Sequence, residues 1–439
     1  MSQVRASRHR RGAVGEGVLT RGFIRQEGAL WCEGVPLETI AREAGTPTYV
    51  YAAGTIREQY ARLDRALAGV PHRIHYSAKA NSSRAILGLL RELGAGVDIV
   101  SGGELYRAVR AGFRGGDIVF SGPGKTAAEL GEAVDAGVLM INVESEGELR
   151  LLDAIARERG VSAPVAIRVN PEVEVDTPHP YTRTGERGKK FGIPIDEALD
   201  AARLALALPH VAMRGLDMHI GSQVGQVEPY VVAIARLLDL FGVLRREAAE
   251  LEYLDIGGGL AVTYQSEVAT DLAGFADAVL PPIVATGLTL LMEPGRYFVG
   301  NAGVLLARVL YRKRSGGRDV LITDAAMTDL LRPSHYNAYH AIESVRPHGP
   351  EGVFDIVGPV CESGDFFALE RRTDAMSPGD LLAIRSAGAY GFVMSSTYNS
   401  RPRPAEVLVD GDRWAIVTER EDYADLVRRE PESPPWRTA

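Results

Sequence analysis

Cysteine is almost missing from this chain of 439 residues. Cys32 and Cys361 are the two present, too few for a disulfide framework, and no CxxC or Cys/His spacing of the kind that holds a metal occurs. A reducing, cytoplasmic setting fits that usage. No run approaches the roughly 18 apolar residues that a spanning helix requires, so no membrane segment is expected. Cations cluster near the start, at Arg5, Arg8, Arg10 and Arg11, but no apolar stretch follows to make a secretory signal. The formal net charge of -8 speaks against a nucleic-acid surface, which needs clustered cations to neutralise phosphates. What remains is an acidic soluble enzyme with a small-molecule substrate.

Glycine is plentiful, and eight short apolar runs alternate with helical patterns. The runs cover 72–80, 97–101, 117–122, 139–144, 165–170, 213–220, 253–257 and 288–293. Their near-continuous apolar character suits strands buried on both faces. The stretches between them, such as 103–111, 127–136, 146–158 and 230–247, repeat apolar residues at three-to-four spacing. That alternation predicts an α/β fold, a (β/α)8 TIM-like barrel in which all strand ends meet at one mouth. Segment 172–190, rich in proline, glycine and charge, is too polar for an element and predicts a lid there.

Beyond residue 300 the pattern turns to strands without long helices, at 304–311, 320–324, 354–360, 380–386 and 405–417. Asp410-Gly411 in the last supplies a hairpin turn. The expected organisation is a disordered basic leader at 1–17 and an N-terminal segment at 18–45 whose strand, within 23–31, pairs with the C-terminal β domain. The barrel follows at 46–300, the β-rich domain at 301–420, and a tail at 421–439 that frays from Glu430.

Chemically able residues fall where runs end. Lys79 lies between Ala78 and Ala80, where burial is expected to lower its pKa and free the amine for an aldehyde such as pyridoxal phosphate. By itself such a lysine more often reaches for solvent. Gly257-Gly258-Gly259 lets backbone N–H groups approach a phosphate, or marks a tight turn. Glu293 and Arg296, in Glu-Pro-Gly-Arg, offer a carboxylate for a pyridine nitrogen, or form a structural ion pair. His219 is a ring for the cofactor or an ordinary core histidine, and Ser222 nearby offers a hydroxyl. Cys361 and Arg332 have equally plain readings as an inert thiol and a loop arginine.

Ordered motifs then accumulate: Glu33-Gly-Val-Pro-Leu37, Gly45-Thr-Pro-Thr-Tyr-Val-Tyr51, Tyr76-Ser-Ala-Lys-Ala-Asn81, Gly96-Val-Asp-Ile-Val-Ser-Gly-Gly-Glu104, His219-Ile-Gly-Ser-Gln223, Cys361-Glu-Ser-Gly-Asp365 and Tyr398-Asn-Ser-Arg-Pro-Arg-Pro404. From about residue 23 to 417 the chain resembles the diaminopimelate decarboxylases, pyridoxal-phosphate enzymes that share an alanine-racemase-like barrel with ornithine and arginine decarboxylases. The resemblance implies Lys79 as the Schiff-base lysine, His219 on the cofactor ring, Glu293 at its nitrogen, and Ser222, Gly258, Gly295 and Tyr390 around its phosphate. It implies Arg296, Arg332 and Tyr336 on the substrate's distal carboxylate, Cys361 as proton donor and Glu362 as acceptor for the distal ammonium. The last two come from the second subunit of a homodimer in that family. Two arginines and a tyrosine also suit a substrate with a far carboxylate on chemical grounds.

The chain departs from the family at Thr397, Ser334 and His335, beside matched substrate positions rather than on them. A decarboxylase of another amino acid, such as D-lysine or D-ornithine, is the alternative within the mechanism. A non-catalytic regulatory homologue is disfavoured because Lys79, Cys361, Glu362 and Glu293 are all present, and a racemase because Glu293 would make the carbanion too stable.

Overall fold

The computed structural model describes residues 22–247 and 249–437. The leader expected at 1–17 lies outside the described residues. Eight parallel strands, His72–Ser77, Gly96–Ile99, Ile118–Phe120, Met140–Val143, Ala163–Asn170, Val211–Met218, Tyr253–Asp255 and Thr289–Met292, hydrogen-bond in chain order. The last pairs back onto the first and closes the barrel. All eight runs singled out in the sequence are these strands. Among the described residues, no helix is long and apolar enough to cross a membrane.

Local signals explain where the outer helices begin. Ser101, Thr126 and Ser145 each accept a hydrogen bond from the backbone N–H three residues on, which satisfies donors that a first turn leaves free. Gly137 and Gly160, in left-handed conformation, end two of these helices. The last barrel strand is followed only by the short helix Arg296–Val299. The eighth outer position is taken by Ala53–Leu67, which precedes the first barrel strand and packs between Leu272–Val284 and Arg84–Glu92.

The second body is a sheet ordered Phe366–Asp374, Glu351–Val357, Arg318–Thr323, Gly303–Ser315, Thr48–Ala52, Ala405–Asp410, Arg413–Thr418. Leu381–Ile384 also pairs with Gly303–Ser315 and carries Ile342–Ser344. The strand drawn from the N-terminal half differs from the expectation. Phe23–Gln26, Ala29–Cys32 and Val35–Pro36 form a three-stranded sheet of their own, tied to the C-terminal region by Leu30 N–H donating to Val345 O at 2.8 Å. Thr48–Ala52, grouped with the barrel from sequence, is instead the strand inserted into the larger sheet, between Gly303–Ser315 and Ala405–Asp410. The tail contains one capped turn of helix, Tyr423–Val427.

Behind the mouth, Phe298 is fully buried, with the rings of Tyr60, Tyr76 and Tyr297 5.9, 6.2 and 5.5 Å away. It fixes the turn that follows Glu293 against the helix Ala53–Leu67. Phe298→Ala is expected to lower unfolding free energy by about 3–5 kcal/mol, measured by chemical denaturation, and a loss well under 1 kcal/mol would count against this packing role.

Candidate active site

One residue in or directly after each strand joins a polar layer across the barrel axis: Ser77, Asp98, Ser121, Asn142, Arg168, Asp217, Asp255 and Glu293, all buried. Contacts across the axis show their direction. Ser121 Oγ, directly after the third strand, and Asn142 Nδ2, on the fourth, donate to Glu293 Oε1 after the eighth, at 3.0 and 3.2 Å. Below this layer the interior turns apolar, with Val119, Met140, Ala166 and Leu291 packed together.

The layer holds four carboxyl groups and one guanidinium, with the Lys79 amine above it. Oxygens of Asp217, Asp255 and Glu293 lie within 4.8 Å of one another, and Arg168 reaches Asp217 only at 3.6 Å because its NH1 bonds Glu144 at 2.6 Å. Asp217 Oδ1 and Asp255 Oδ2 are buried without a partner among the described residues. Burial, helped by neighbouring carboxylates, pushes all three upward, with Asp98 the carboxylate that raises Asp255. Glu293 is raised by burial and then by Asp255, Asp217 is raised by burial and then by Asp255, and Asp255 is pushed up to about 7.

Lys79 lies in the turn Ala78–Ala80 at the end of the first strand. Its Nζ is 3.3 Å from Asp98 Oδ2, which also accepts from Ser77 Oγ at 2.6 Å. This corrects the expectation that its pKa is lowered. Burial acts in that direction, but Asp98, Glu293 and Tyr390 outweigh it, and the amine is held above its ordinary range. The flanking alanines point into the apolar core, while the lysine, about one-third exposed, points at acids on neighbouring strands.

Lys79, His219, Ser222, Arg296, Arg332, Tyr336 and Tyr390 line one cavity of about 360 Å³. A smaller pocket continues inward from it, sharing Lys79, His219, Ser222, Arg296 and Tyr390 and reaching Glu293 and Gly295. The Gly258 N–H donates to His219 Nδ1 at 3.1 Å, and burial, Lys79 and Arg168 keep the imidazole neutral. A Cβ on Gly258 would stand 2.3 Å from Glu293 O, so the glycine run passes against the Glu293 backbone with no room for a side chain. Tyr390 adopts φ of 55°, a strained value for a tyrosine, and its N–H is fixed on Ala80 O at 2.8 Å.

At the outer end Arg296 NH1 donates to Tyr264 Oη at 2.6 Å, and the Arg332 guanidinium stands 5.2 Å from the same ring. Burial would raise the Tyr264 hydroxyl, but Arg296 and Arg332 prevail and lower it. The predicted lid, 172–190, does cross this end. Ser222 N–H donates to Thr182 O at 3.0 Å, Gly185 N–H to Ile220 O at 3.1 Å, and His179 stands edge-on to Tyr336 at 5.4 Å. Cys361 and Glu362 are not brought to the cavity. Both are exposed, on a loop whose Cys361 N–H is bonded to Asn399 Oδ1 at 2.9 Å.

Asp98, Ser121, Asn142, Arg168, Asp217, Tyr264 and His179 were not named as site residues from sequence. For the barrel residues the available signal was a polar side chain recurring within each otherwise apolar run.

The fit to a pyridoxal group is testable on these features. An amine faces a cavity whose inner end is a carboxyl with unsatisfied acidic neighbours, matching a cationic ring nitrogen, and Gly259 and Gly295 line the inner pocket without side chains to obstruct it. The donor set fits.

Residues 53–300 match the family described as pyridoxal-dependent decarboxylase, pyridoxal binding domain. Diaminopimelate decarboxylase of Pseudomonas aeruginosa is 48% identical over 405 residues, 92% of this chain and 97% of that protein. The crystal structure of diaminopimelate decarboxylase from Helicobacter pylori complexed with L-lysine is 38% identical with a TM-score of 0.87, over 90% of this chain and 99% of that one. The enzyme of M. jannaschii in complex with L-lysine is 34% identical with a TM-score of 0.90, over 95% and 99%.

Asp255 carries a pH consequence. A carboxyl of ordinary pKa 3.8 held at about 7 keeps, when folded, a proton that the unfolded chain gives up. Its contribution is full below about 3.8 and lost as pH rises through about 7. In the cofactor-free protein, Asp255→Asn is expected to gain melting temperature relative to the parent as pH rises from about 4 to about 7. A difference independent of pH would contradict the shift.

On sequence, fold and the barrel-mouth arrangement together, the chain belongs to the diaminopimelate decarboxylase family of pyridoxal-dependent decarboxylases.

Proposed function

We propose that the chain removes carbon dioxide from meso-2,6-diaminopimelate to give L-lysine, with pyridoxal 5'-phosphate held through Lys79. The observation that carries this reading is the opposition of Lys79 to a pair of buried guanidiniums, Arg296 and Arg332, within one cavity. A diamine acid without a second carboxylate would leave those two charges unanswered, whereas diaminopimelate brings a carboxylate to each end.

When bound, pyridoxal phosphate supplies a ring that accepts the electron pair left by departing carbon dioxide. Glu293, positioned by Ser121 and Asn142, would face the ring nitrogen and favour its protonated form. Neutral His219 adds no charge beside it, and Ser222, Gly258, Gly295 and Tyr390 would hold the phosphate end. Gly258 would do so through its surroundings or after release of its N–H from His219. Arg296, Arg332 and Tyr336 take the distal carboxylate and leave the other end at Lys79. The lid, through Thr182 and His179, limits water at the mouth. A proton must replace the lost carboxyl, and Cys361 Sγ would donate it while Glu362 accepts the distal ammonium. Since both stand off their own cavity, they would serve the site of a second copy, in a homodimer of cytoplasmic enzyme.

Steady-state turnover tests the reading. The expected result is a kcat/KM for meso-diaminopimelate well above that for D-lysine or D-ornithine, with Arg332→Ala costing about a hundredfold on the first alone. A preference for D-lysine would reassign the substrate. Lys79→Ala should lose the bound-cofactor absorbance and turnover. Mixing inactive Lys79→Ala with inactive Cys361→Ala should restore about a quarter of full activity, because half of randomly assorted dimers carry one intact site of two. No recovery would argue against sites shared between copies.

A further inference from the structure

His340 is fully buried and lies behind the cavity wall rather than on it. Its Nδ1 is 2.8 Å from Arg385 O, and a carbonyl oxygen can only accept, so Nδ1 carries the ring proton. Nε2 is left with its lone pair, facing Arg332 Nε at 3.4 Å. The arrangement requires an uncharged ring, and burial together with Arg332 pushes this histidine down to about 3. The backbone is fixed as well, since Arg371 NH1 donates to His340 O at 2.7 Å. The imidazole packs edge-on against Tyr264 at 5.5 Å, the ring that also lies between Arg332 and Arg296.

We infer that His340 is a positioning residue which pins the Nε edge of Arg332 and so presents the two terminal amino groups to the substrate's distal carboxylate. This role rests on the function proposed above. A guanidinium engaged from behind at Nε keeps its paired NH1 and NH2 edge free for bidentate capture. It also gives up less side-chain freedom when the carboxylate arrives. The signal was absent from the sequence, where His340 belongs to no motif.

His340→Leu removes the acceptor and keeps an apolar shape. With meso-diaminopimelate, KM is expected to rise about tenfold while kcat stays within about twofold, because the distal contact is made alike before and during the reaction. The same substitution in an Arg332→Ala background should add no further loss, since His340 acts through that arginine. His340→Gln, which retains an acceptor, should bring KM back toward the parent value; this variant decides the matter if the leucine variant does not fold, a tenfold rise in KM counting against the role. An unchanged KM in His340→Leu, or losses that add in the double variant, would overturn it while the parent enzyme remains active. A parent enzyme inert on meso-diaminopimelate would overturn the proposed function and this role with it.

Discussion

Four carboxyl groups at the axis of a barrel, sealed from water above an apolar floor, are the constraint on which the site depends. Asp98, Asp217, Asp255 and Glu293 share a volume that holds one guanidinium, Arg168, itself divided between Asp217 and Glu144. Uncompensated charge in such a place costs several kcal/mol per ion, so the cluster must take up protons or recruit cations. Both occur. Asp217, Asp255 and Glu293 are shifted toward their protonated forms, and the Lys79 amine is shifted the other way, toward remaining charged. The lysine's charge and the acids' protons are thus one balance. Under the proposed function, a protonated ring nitrogen is the further cation that this balance lacks.

The opposite polarity governs the outer end. Arg296 and Arg332 are nearly as buried as the acids, and Tyr264 separates them, offering its hydroxyl to one and its ring to both. Two guanidiniums brought this close repel, and an electron-rich ring between them offsets part of that cost. A single cavity thereby has an acidic inner end, balanced by Lys79, and a cationic outer end. Under the proposed function, such a contrast orients a substrate that carries an ammonium and a carboxylate at each terminus, because the two ends are then distinguished by what they must meet rather than by their own chemistry.

The barrel was legible in the sequence because each strand is a short apolar run whose neighbours are helices of different period, a local signal. Lys79, His219, Ser222, Glu293, Gly295, Arg296, Arg332, Tyr336 and Tyr390 come together as their places at run ends and in the family's motifs implied. What was not legible is set by distant partners. Thr48–Ala52 joins the larger sheet through strands more than 250 residues away, and nothing within its own five residues distinguishes it from a barrel strand. Ile342–Ser344 is too short to leave a pattern, and Phe366–Asp374 is half polar because it lies at the sheet edge. The direction of the Lys79 shift failed for the same reason. Its chain neighbours are alanines, but its neighbours in space are Asp98 and Glu293.

Cys361 and Glu362 stand apart from the cavity of their own chain. The other cysteine, Cys32, is buried among apolar side chains, and burial raises its thiol, the ordinary fate of a structural cysteine. Cys361 is exposed beside an exposed carboxylate, on a loop whose backbone is held by Asn399. Exposed apolar side chains, Val393 and Tyr398, belong to the same loop cluster. A thiol that transfers a proton gains from being dry, since water competes for both the proton and the acceptor carbon. Neither dryness nor proximity is available to Cys361 within one chain. Both would be supplied by a second copy docking this loop cluster over its barrel mouth, where the lid, the paired arginines and Lys79 already define an opening of the right chemistry.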